Sequence, residues 1–229
     1  MPTIVFASSK GGVGKTTAAT VLASELARQG EEKGISISLI DVDPNQHSAK
    51  WAKKPGCPPN IKLVENSNEE SIIDDIDNAE EISDFVIVDL EGTASMAVAS
   101  AISRADLVIT MCQASQDDAD EAVKTIKLIK RQSKVLKRDI AFSVLFSRTS
   151  SAIKTKMFNY ILDEFNRIGV DVFETSLIER EAFRTVRSFG GIVNDLNPRE
   201  FSGVENASAN AFAFASEVKK KLVSLMEVA

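Results

Sequence analysis

The sequence predicts an α/β protein with a doubly wound, mostly parallel sheet flanked by helices. Short apolar runs alternate with segments of helical periodicity, which is the pattern of βαβ units. The 229 residues, of which 44% are hydrophobic and 26% charged, are typical of a folded chain with a substantial core. We find no internal repeat and no linker in the sequence. We therefore expect residues 1–229 to form a single domain.

Apolar runs predict the strands, and apolar residues at helical spacing predict the helices. The first helical segment carries Val21, Leu22 and Leu26 near helical spacing, and Gly30 suits the position after a helix end. A further helix is expected to begin near His47. The predicted strands are residues 3–7, 35–40, 61–64, 85–89, 107–111, 141–146 and 170–173. The main predicted helices are residues 16–29, 117–138, 151–168 and 207–227.

Composition and charge exclude several classes of protein. A net charge of −6 argues against a uniformly cationic nucleic-acid binder, although it permits a local basic patch. The two cysteines, Cys57 and Cys112, are too few for a disulfide framework, and a single histidine disfavours a histidine-based metal centre. The first residues lack a charged leader, and no run approaches the length of a membrane span. We therefore expect a cytoplasmic protein.

A glycine-rich loop lies between the first predicted strand and the first predicted helix. Its glycines allow backbone N–H groups to surround phosphate oxygens, and the helix N-terminus attracts an anion. Lys15 would reach the β- and γ-phosphates of a nucleotide, and the Thr16 hydroxyl would bind Mg²⁺. Ser9 replaces the first glycine of the general phosphate-loop pattern, and a glycine-rich turn without a ligand is the alternative. The predicted nucleotide-binding residues of the loop are Lys10, Gly11, Gly12, Val13, Gly14, Lys15, Thr16 and Thr17.

The segment from Lys10 to Thr17 resembles the deviant Walker A motif of the ParA/MinD ATPases, which carry a second lysine ahead of the glycines. The resemblance implies a P-loop NTPase fold, binding of ATP and Mg²⁺, and a homodimer in the ATP-bound state. It also implies that Lys10 crosses the dimer interface to the partner's nucleotide, where a cation stabilises the transferring phosphoryl group. Residues 118–122 and 179–183 are similar to the short ParA branch, which contains ParF-type and VirC-type ATPases.

Three aspartates end or follow predicted strands, at the edge where an open α/β sheet binds its ligands. Asp89 is predicted to hold Mg²⁺, and an N-cap or a solvated strand end is the alternative. The segment from Asp41 to Pro44 resembles the family's second acidic motif, which implies that Asp43 orients the attacking water while Asp41 lies nearer the metal. The expected catalytic residues are Lys10, Lys15 and Asp43. The expected metal ligands are Thr16, Asp41 and Asp89.

Two further residues are expected near the nucleotide. Gly92 lies where many members of the resembling family have a proline-rich switch, and its backbone N–H is a candidate donor to the γ-phosphate. In the short branch the segment around Arg148 lies near the adenine. The resemblance therefore implies that Arg148 stacks on the base or hydrogen-bonds to it, and a surface arginine is the alternative.

A basic stripe is predicted on one helix, because residues 124–138 hold seven basic side chains and no acidic one. Five of the seven fall within about an 80° arc of the helix surface. The side expected to face the sheet carries Ala122, Ile126, Ile129 and Leu136. The stripe is either a solvated helix face or a footprint for DNA phosphates without base recognition. A second candidate group consists of Arg180, Arg184 and Arg187. The expected DNA-binding residues are Lys124, Lys127, Arg131, Lys134, Arg138, Arg184 and Arg187.

These features lead us to expect an ATPase that partitions or positions a cargo such as a plasmid, a chromosome region or a protein cluster. The ATP-bound dimer would associate with nucleoid DNA, and a ParB-like or cargo adaptor protein would activate slow hydrolysis. A MinD-like membrane-associated ATPase is the alternative, since the last predicted helix has an apolar face beside three lysines. That face carries Val218, Leu222, Leu225 and Met226, and we favour core packing for it. A small-molecule enzyme on the same fold is disfavoured, because such relatives generally lack the second lysine.

Overall fold

A sheet of seven parallel strands runs through the described part of this computed structural model, which comprises residues 1–93, 95–150 and 155–228. The order of the strands across the sheet is β3-β2-β4-β1-β5-β6-β7, and every pairing is parallel. The strands β1 to β7 are Thr3–Ala7, Ile37–Asp41, Ile61–Val64, Phe85–Asp89, Leu107–Cys112, Ala141–Thr149 and Leu177–Ile178. The predicted α/β class with a mostly parallel sheet is confirmed.

Helices cover both faces of this sheet, as a parallel sheet requires. The helices α1 to α8 are Lys15–Gly30, His47–Ala52, Ile72–Ile82, Met96–Arg104, Gln116–Leu136, Lys156–Arg167, Glu181–Phe189 and Val204–Val228. Helices α3, α4 and α7 were not predicted from the sequence. The first residues of the predicted helix 151–168 lie outside the described residues.

Strand β1 lies at the centre of the sheet and is buried along its whole length. Its side chains alternate between the two faces. Ile4 and Phe6 pack into a core with α1, α7 and α8, where the ring of Phe6 meets that of Phe214 at a centroid distance of 6.5 Å. Val5 and Ala7 pack into a second core with α3 and α4. Burial on both faces explains why the central strands are continuous apolar runs.

The predicted strand at residues 170–173 is wrong, because only one isolated bridge, between Val172 and Val144, forms there. The seventh strand lies later in the chain, at Leu177–Ile178. The backbone N–H groups of Glu174 and Thr175 donate to the carboxylate of Glu217, at 2.7 and 2.8 Å, instead of continuing a strand ladder. A side chain of α8 therefore diverts the chain away from β6 after a single bridge.

Two predicted apolar faces are buried only in part. On α5, Ala122, Ile126 and Ile129 are buried as predicted, but Leu136 is 42% exposed because Lys137 adopts a left-handed conformation (φ 52°) and ends the helix. On α8, two of the four residues of the predicted apolar face are buried and two are exposed. Val218 and Leu222 are buried, whereas Leu225 and Met226 are 36% and 64% exposed. No helix in the described ranges is both long and apolar enough to cross a bilayer.

Candidate nucleotide-binding site

The glycine-rich loop connects β1 to the N-terminus of α1. Gly12 and Gly14 have φ values of 77° and 96°, in the left-handed region that glycine adopts without strain. Gly14 is the N-cap of α1, so it has no side chain to satisfy the N–H groups of the first turn, and that turn contains no acidic residue. Uncapped N–H groups and the helix dipole together make an anion site. The predicted phosphate loop thus has the required local geometry.

Lys15 is buried at the start of α1, with only 6% of its surface exposed. Its ammonium lies 3.3 Å from the backbone carbonyl oxygen of Lys10. Burial lowers the pKa of Lys15, while the carboxylates of Asp89, Asp43 and Glu91 act in the opposite direction. The loop therefore holds a poorly solvated cation among acidic groups, which is a favourable arrangement for binding a phosphate together with a divalent cation.

Lys10 projects from the other end of the loop and is paired within its own chain. Its ammonium lies 3.0 Å from a carboxylate oxygen of Asp118, which is buried near the start of α5. The hydrogen bond to Asp118 and the charge of that carboxylate raise the pKa of Lys10. The side chain of Lys10 is 44% exposed, so solvent is accessible to the ammonium group. A role for Lys10 across a dimer interface would require this pair to separate.

Two of the three predicted aspartates are brought together by the strand register. Asp41 lies opposite Asp89 in the β2–β4 ladder, and Phe6 of β1 lies opposite Asp89 on its other side. Both carboxylate oxygens of Asp41 accept backbone N–H groups, from Asp43 at 3.0 Å and from Ala49 at 2.8 Å. Asp41 consequently positions the turn that carries Asp43 and begins α2.

Asp89 is completely buried, and neither of its carboxylate oxygens has a hydrogen-bond partner of good geometry among the described residues. Burial raises the pKa of Asp89 to about 7, and the charge of Asp41 adds to the rise; the hydroxyls of Thr16 and Ser48 and the ammonium of Lys15 oppose it. An isolated buried carboxylate is costly unless a cation pairs with it. Among the described residues no three His, Cys, Asp or Glu side chains cluster as a metal site. Mg²⁺ fits this arrangement, because it is commonly held by one or two carboxylates together with substrate phosphates.

Asp43 lies on the turn between β2 and α2. Its carboxylate accepts the backbone N–H of Asn45 at 2.8 Å and the Asn45 side-chain amide at 3.0 Å. Its backbone carbonyl accepts the N–H of Gln46, whose left-handed conformation (φ 50°) precedes α2. These contacts hold a half-buried carboxylate just beyond the end of β2, at the same edge of the parallel sheet as the loop that follows β1. The negative charge of Asp43 acts to raise the pKa of Lys15, which indicates that the two charges are close to each other.

The segment after β4 packs directly on the glycine-rich loop. A Cβ atom at Gly92 would lie 2.6 Å from the backbone nitrogen of Gly11 and 2.9 Å from the carbonyl carbon of Lys10. Any other residue would push one of the two segments away. This contact places Gly92 beside the loop, as the sequence predicted, and explains why glycine is needed there.

A cleft of about 140 Å³ lies on the Thr17 side of the loop. Arg148, predicted near the adenine, lines it, and the hydroxyl of Ser147 donates to the carbonyl oxygen of Val13 at 2.6 Å, which ties the loop to β6. Arg187 also lines the cleft and donates to the Thr17 hydroxyl at 3.1 Å. Arg187 is also one of the expected DNA-binding residues, and its half-buried guanidinium lies against the loop. Ser147 was missed, since a lone serine in a strand carries no distinctive signal.

Four of the five predicted stripe residues lie on the exposed side of α5. The fifth, Arg138, lies beyond the end of the helix at Leu136, so the predicted helix 117–138 is too long. Lys124 forms an ion pair with Glu121 at 2.6 Å, and Arg138 donates to the carbonyl oxygens of Ser103 and Ala105. In the described ranges, the other three predicted stripe residues have no ion pair; they are Lys127, Arg131 and Lys134. Arg184 is exposed and pairs with Glu179 at 3.0 Å.

Comparison with known proteins gives consistent results. Residues 1–208 match the family model described as VirC1 protein. The chain is 36% identical to Protein ParA of Rhizobium radiobacter over 226 residues, which cover 99% of this chain and all of that protein. It is 26% identical to the maintenance of carboxysome distribution protein A of Halothiobacillus neapolitanus, over 89% of this chain and 91% of that one. Among solved structures, the ATP complex of McdA from Cyanothece superposes with a TM-score of 0.78 at 16% identity, covering 96% of each chain.

Proposed function

The chain belongs to the VirC1 protein family, within the short ParA branch, and on that premise we propose that it is an ATPase that partitions or positions a cargo. The observation that carries the proposal is the buried carboxylate of Asp89, which has no hydrogen bond of good geometry among the described residues, beside an uncapped glycine loop. Such an arrangement is stabilised by a divalent cation and a polyphosphate together. Two relatives, Protein ParA and the maintenance of carboxysome distribution protein A, support the partitioning role.

In the proposed reaction the chain's own residues bind, orient and neutralise charge. The backbone N–H groups of the loop and the ammonium of Lys15 would hold the β- and γ-phosphates of ATP. Thr16 and Asp89 would hold Mg²⁺, which neutralises the charge that develops on the transferring phosphoryl group. Asp43 would orient the attacking water, and Gly92 would donate its N–H to the γ-phosphate. Phosphoryl transfer depends mainly on positioning and electrostatics, so this set suffices for slow hydrolysis.

Dimerisation is part of the proposal. Lys10 would leave Asp118 of its own chain and reach the γ-phosphate in the partner, so that ATP favours the dimer and hydrolysis releases it. The exchange leaves the buried carboxylate of Asp118 with the hydroxyl of Ser115 as its donor and gives Lys10 a more highly charged partner. A ParB-like or cargo adaptor protein would accelerate turnover, and the ATP-bound dimer would reside on nucleoid DNA in the cytoplasm.

The nucleotide part of the proposal is tested by measuring the affinity for ATP, with Mg²⁺ present, in the wild type and in Lys15→Ala. We expect the variant to lose binding, since it leaves the phosphates without their buried cation. Lys33→Ala is the matched control, because Lys33 is an exposed lysine beyond the end of α1. Unchanged affinity in Lys15→Ala would remove the assignment of the loop.

The DNA part of the proposal rests on the exposed cations of α5. Phosphate contacts give sequence-independent binding that weakens steeply with salt. A mobility assay without nucleotide, with ADP, with ATP and with a slowly hydrolysed analogue should show binding only with ATP or the analogue. Replacing Lys127, Arg131 and Lys134 together by glutamate should abolish this DNA binding. The control carries the same charge change at three exposed lysines away from α5, namely Lys33, Lys50 and Lys156.

A membrane-associated ATPase is the second candidate, and one observation favours it. Val223 and Met226 are 54% and 64% exposed on the last turns of α8. Co-sedimentation with anionic liposomes in the presence of ATP, before and after deletion of residues 223–229, separates the two functions. This truncation preserves the buried Val218 and Leu222. Pelleting that depends on the tail and not on DNA would overturn the DNA-based proposal.

A further inference from the structure

The guanidinium of Arg187 lies against the first turn of α1, although its own helix is α7. It donates from Nη1 to the hydroxyl of Thr17 at 3.1 Å. Its Nε is buried and has no hydrogen-bond partner among the described residues. A charged donor group is thus satisfied in this state by one neutral hydroxyl, which leaves a buried N–H without an acceptor.

The surroundings of Arg187 are strongly cationic. The same cleft is lined by Arg148, Arg180 and Arg184, against a single acidic residue, Glu179, which accepts from Arg184 at 3.0 Å. The Nε of Arg180 is also buried without a partner in the part of the chain that the structure describes. Burial lowers the pKa of Arg187, Asp89 opposes that effect, and Arg148 adds to it. Two buried guanidinium donors without acceptors, in a cleft with excess positive charge, indicate an anionic ligand.

The backbone that carries Arg187 is held rigidly from the α2 side. Lys54 donates to the carbonyl oxygens of Arg187 and Ser188, at 2.7 and 2.6 Å, and so satisfies the end of α7. Trp51 donates its indole N–H to the carbonyl oxygen of Gly191 at 3.1 Å. The backbone of Arg187 is therefore held in place, and the hydrogen bond to Thr17 orients the guanidinium, so that less conformational entropy is lost on binding a ligand.

We propose that Arg187 is an additional nucleotide-binding residue, which exchanges the Thr17 hydroxyl for an oxygen of the α-phosphate. Lys15 is the loop residue that reaches the β- and γ-phosphates. The cleft with Arg187 opens at Gly14 and Thr17, away from Lys10, so it lies on the α-phosphate and nucleoside side of the loop. This inference rests on the proposed function, because it requires that the loop binds an adenine nucleotide.

The test compares the dissociation constants of ADP, AMP and adenosine for the wild type and for Arg187→Ala, obtained by competition with a fluorescent ADP. We expect Arg187→Ala to weaken ADP and AMP by about tenfold or more, since hydrogen bonds to charged groups are among the stronger ones. Adenosine affinity should not change, because adenosine has no phosphate. Arg199→Ala is the matched control, because Arg199 is an exposed arginine that does not line the cleft, and it should leave all three constants unchanged.

Arg187→Lys separates charge from structure, because it retains the cation and loses the guanidinium fork. We expect it to restore part of the ADP affinity that Arg187→Ala loses. Unchanged ADP binding in Arg187→Ala, or an equal loss for ADP and adenosine, would overturn the proposal. Loss of DNA binding with unchanged ADP affinity would also overturn it and return Arg187 to a DNA surface. A wild type that binds no ADP would instead refute the nucleotide function itself.

Discussion

Asp89→Asn in the absence of metal and nucleotide tests the electrostatic description of the site. Asp89 is fully buried, and no described residue gives either of its oxygens a hydrogen bond of good geometry. Asparagine has nearly the same shape and no charge. The substitution therefore removes an uncompensated buried charge without creating a cavity, and we expect it to stabilise the empty protein while abolishing Mg²⁺-dependent nucleotide binding.

The magnitude follows from the pKa. Burial raises the pKa of Asp89 from 3.8 to about 7, so folding favours the protonated form. The contribution of protonated Asp89 to the free energy of unfolding is fully present below pH 3.8, the pKa in the unfolded chain. It is lost as the pH rises through about 7, the pKa in the folded protein. A pKa rise of this size corresponds to a loss on the order of 4 kcal/mol in the free energy of unfolding once Asp89 is ionised. At about 2 to 4 °C per kcal/mol for a chain of this length, Asp89→Asn should gain roughly 10 °C over the wild type at alkaline pH.

The assay is thermal and urea unfolding in a chelating buffer, at intervals from about pH 4 to pH 8. The difference between wild type and Asp89→Asn should be small at the acidic end and should grow towards the alkaline end. Asp74→Asn is the control, because it removes the same charge from the exposed side of α3. Mg²⁺ with ADP should stabilise the wild type alone. Parallel loss of stability in wild type and Asp89→Asn across the range would refute the reasoning.

Three further predictions concern the loop and its supports. Gly92→Ala places a Cβ 2.6 Å from the Gly11 nitrogen, so ADP affinity measured by calorimetry should fall by roughly tenfold, and wild-type affinity would contradict the observed packing. Asp43→Ala should retain ATP binding but lower single-turnover hydrolysis by roughly a hundredfold and trap the ATP-bound dimer; normal turnover would exclude Asp43 as the water-orienting group. Trp51→Phe leaves the Gly191 carbonyl without its donor and should cost about 1 to 3 kcal/mol in urea unfolding, whereas a neutral result would mean that water replaces the indole.

The central strands and the phosphate loop were predictable because their signals are local. A strand buried on both faces is mainly apolar, and β1 from Ile4 to Ala7 and β4 from Phe85 to Val88 are apolar without interruption. A loop that wraps a helix N-terminus needs glycine where φ is positive, as at Gly12 and Gly14. The position of Asp89 at a strand end follows from the same pattern, but the absence of a partner for its carboxylate among the described residues is visible only in the structure.

The failures at residues 170–173 and 225–226 have non-local causes. Residues 170–173 have strand composition, yet the N–H groups that would extend the ladder are bound by Glu217, more than forty positions away. Leu225 and Met226 have the right helical spacing for a buried face, but the last turns of α8 leave them 36% and 64% exposed. Periodicity predicts which side of a helix is apolar, and not how much of that side finds a partner.

Arg184 and Arg187 of α7 show that helical spacing also does not predict which partner a functional side chain meets. Arg184 and Arg187 are three positions apart on one helix, so the sequence places them on neighbouring parts of its surface and suggests one shared partner. Their environments differ, because α2 packs against α7 and Lys54 donates to the carbonyl oxygens at the Arg187 end of that helix. Arg184 consequently lies in solvent with Glu179, while Arg187 reaches Thr17. Since α2 begins just after Asp43, the contact that aims Arg187 at the phosphate loop is anchored to the turn expected to orient the attacking water. Changes at Lys54 should therefore alter nucleotide affinity through Arg187 before they alter binding at the α5 stripe.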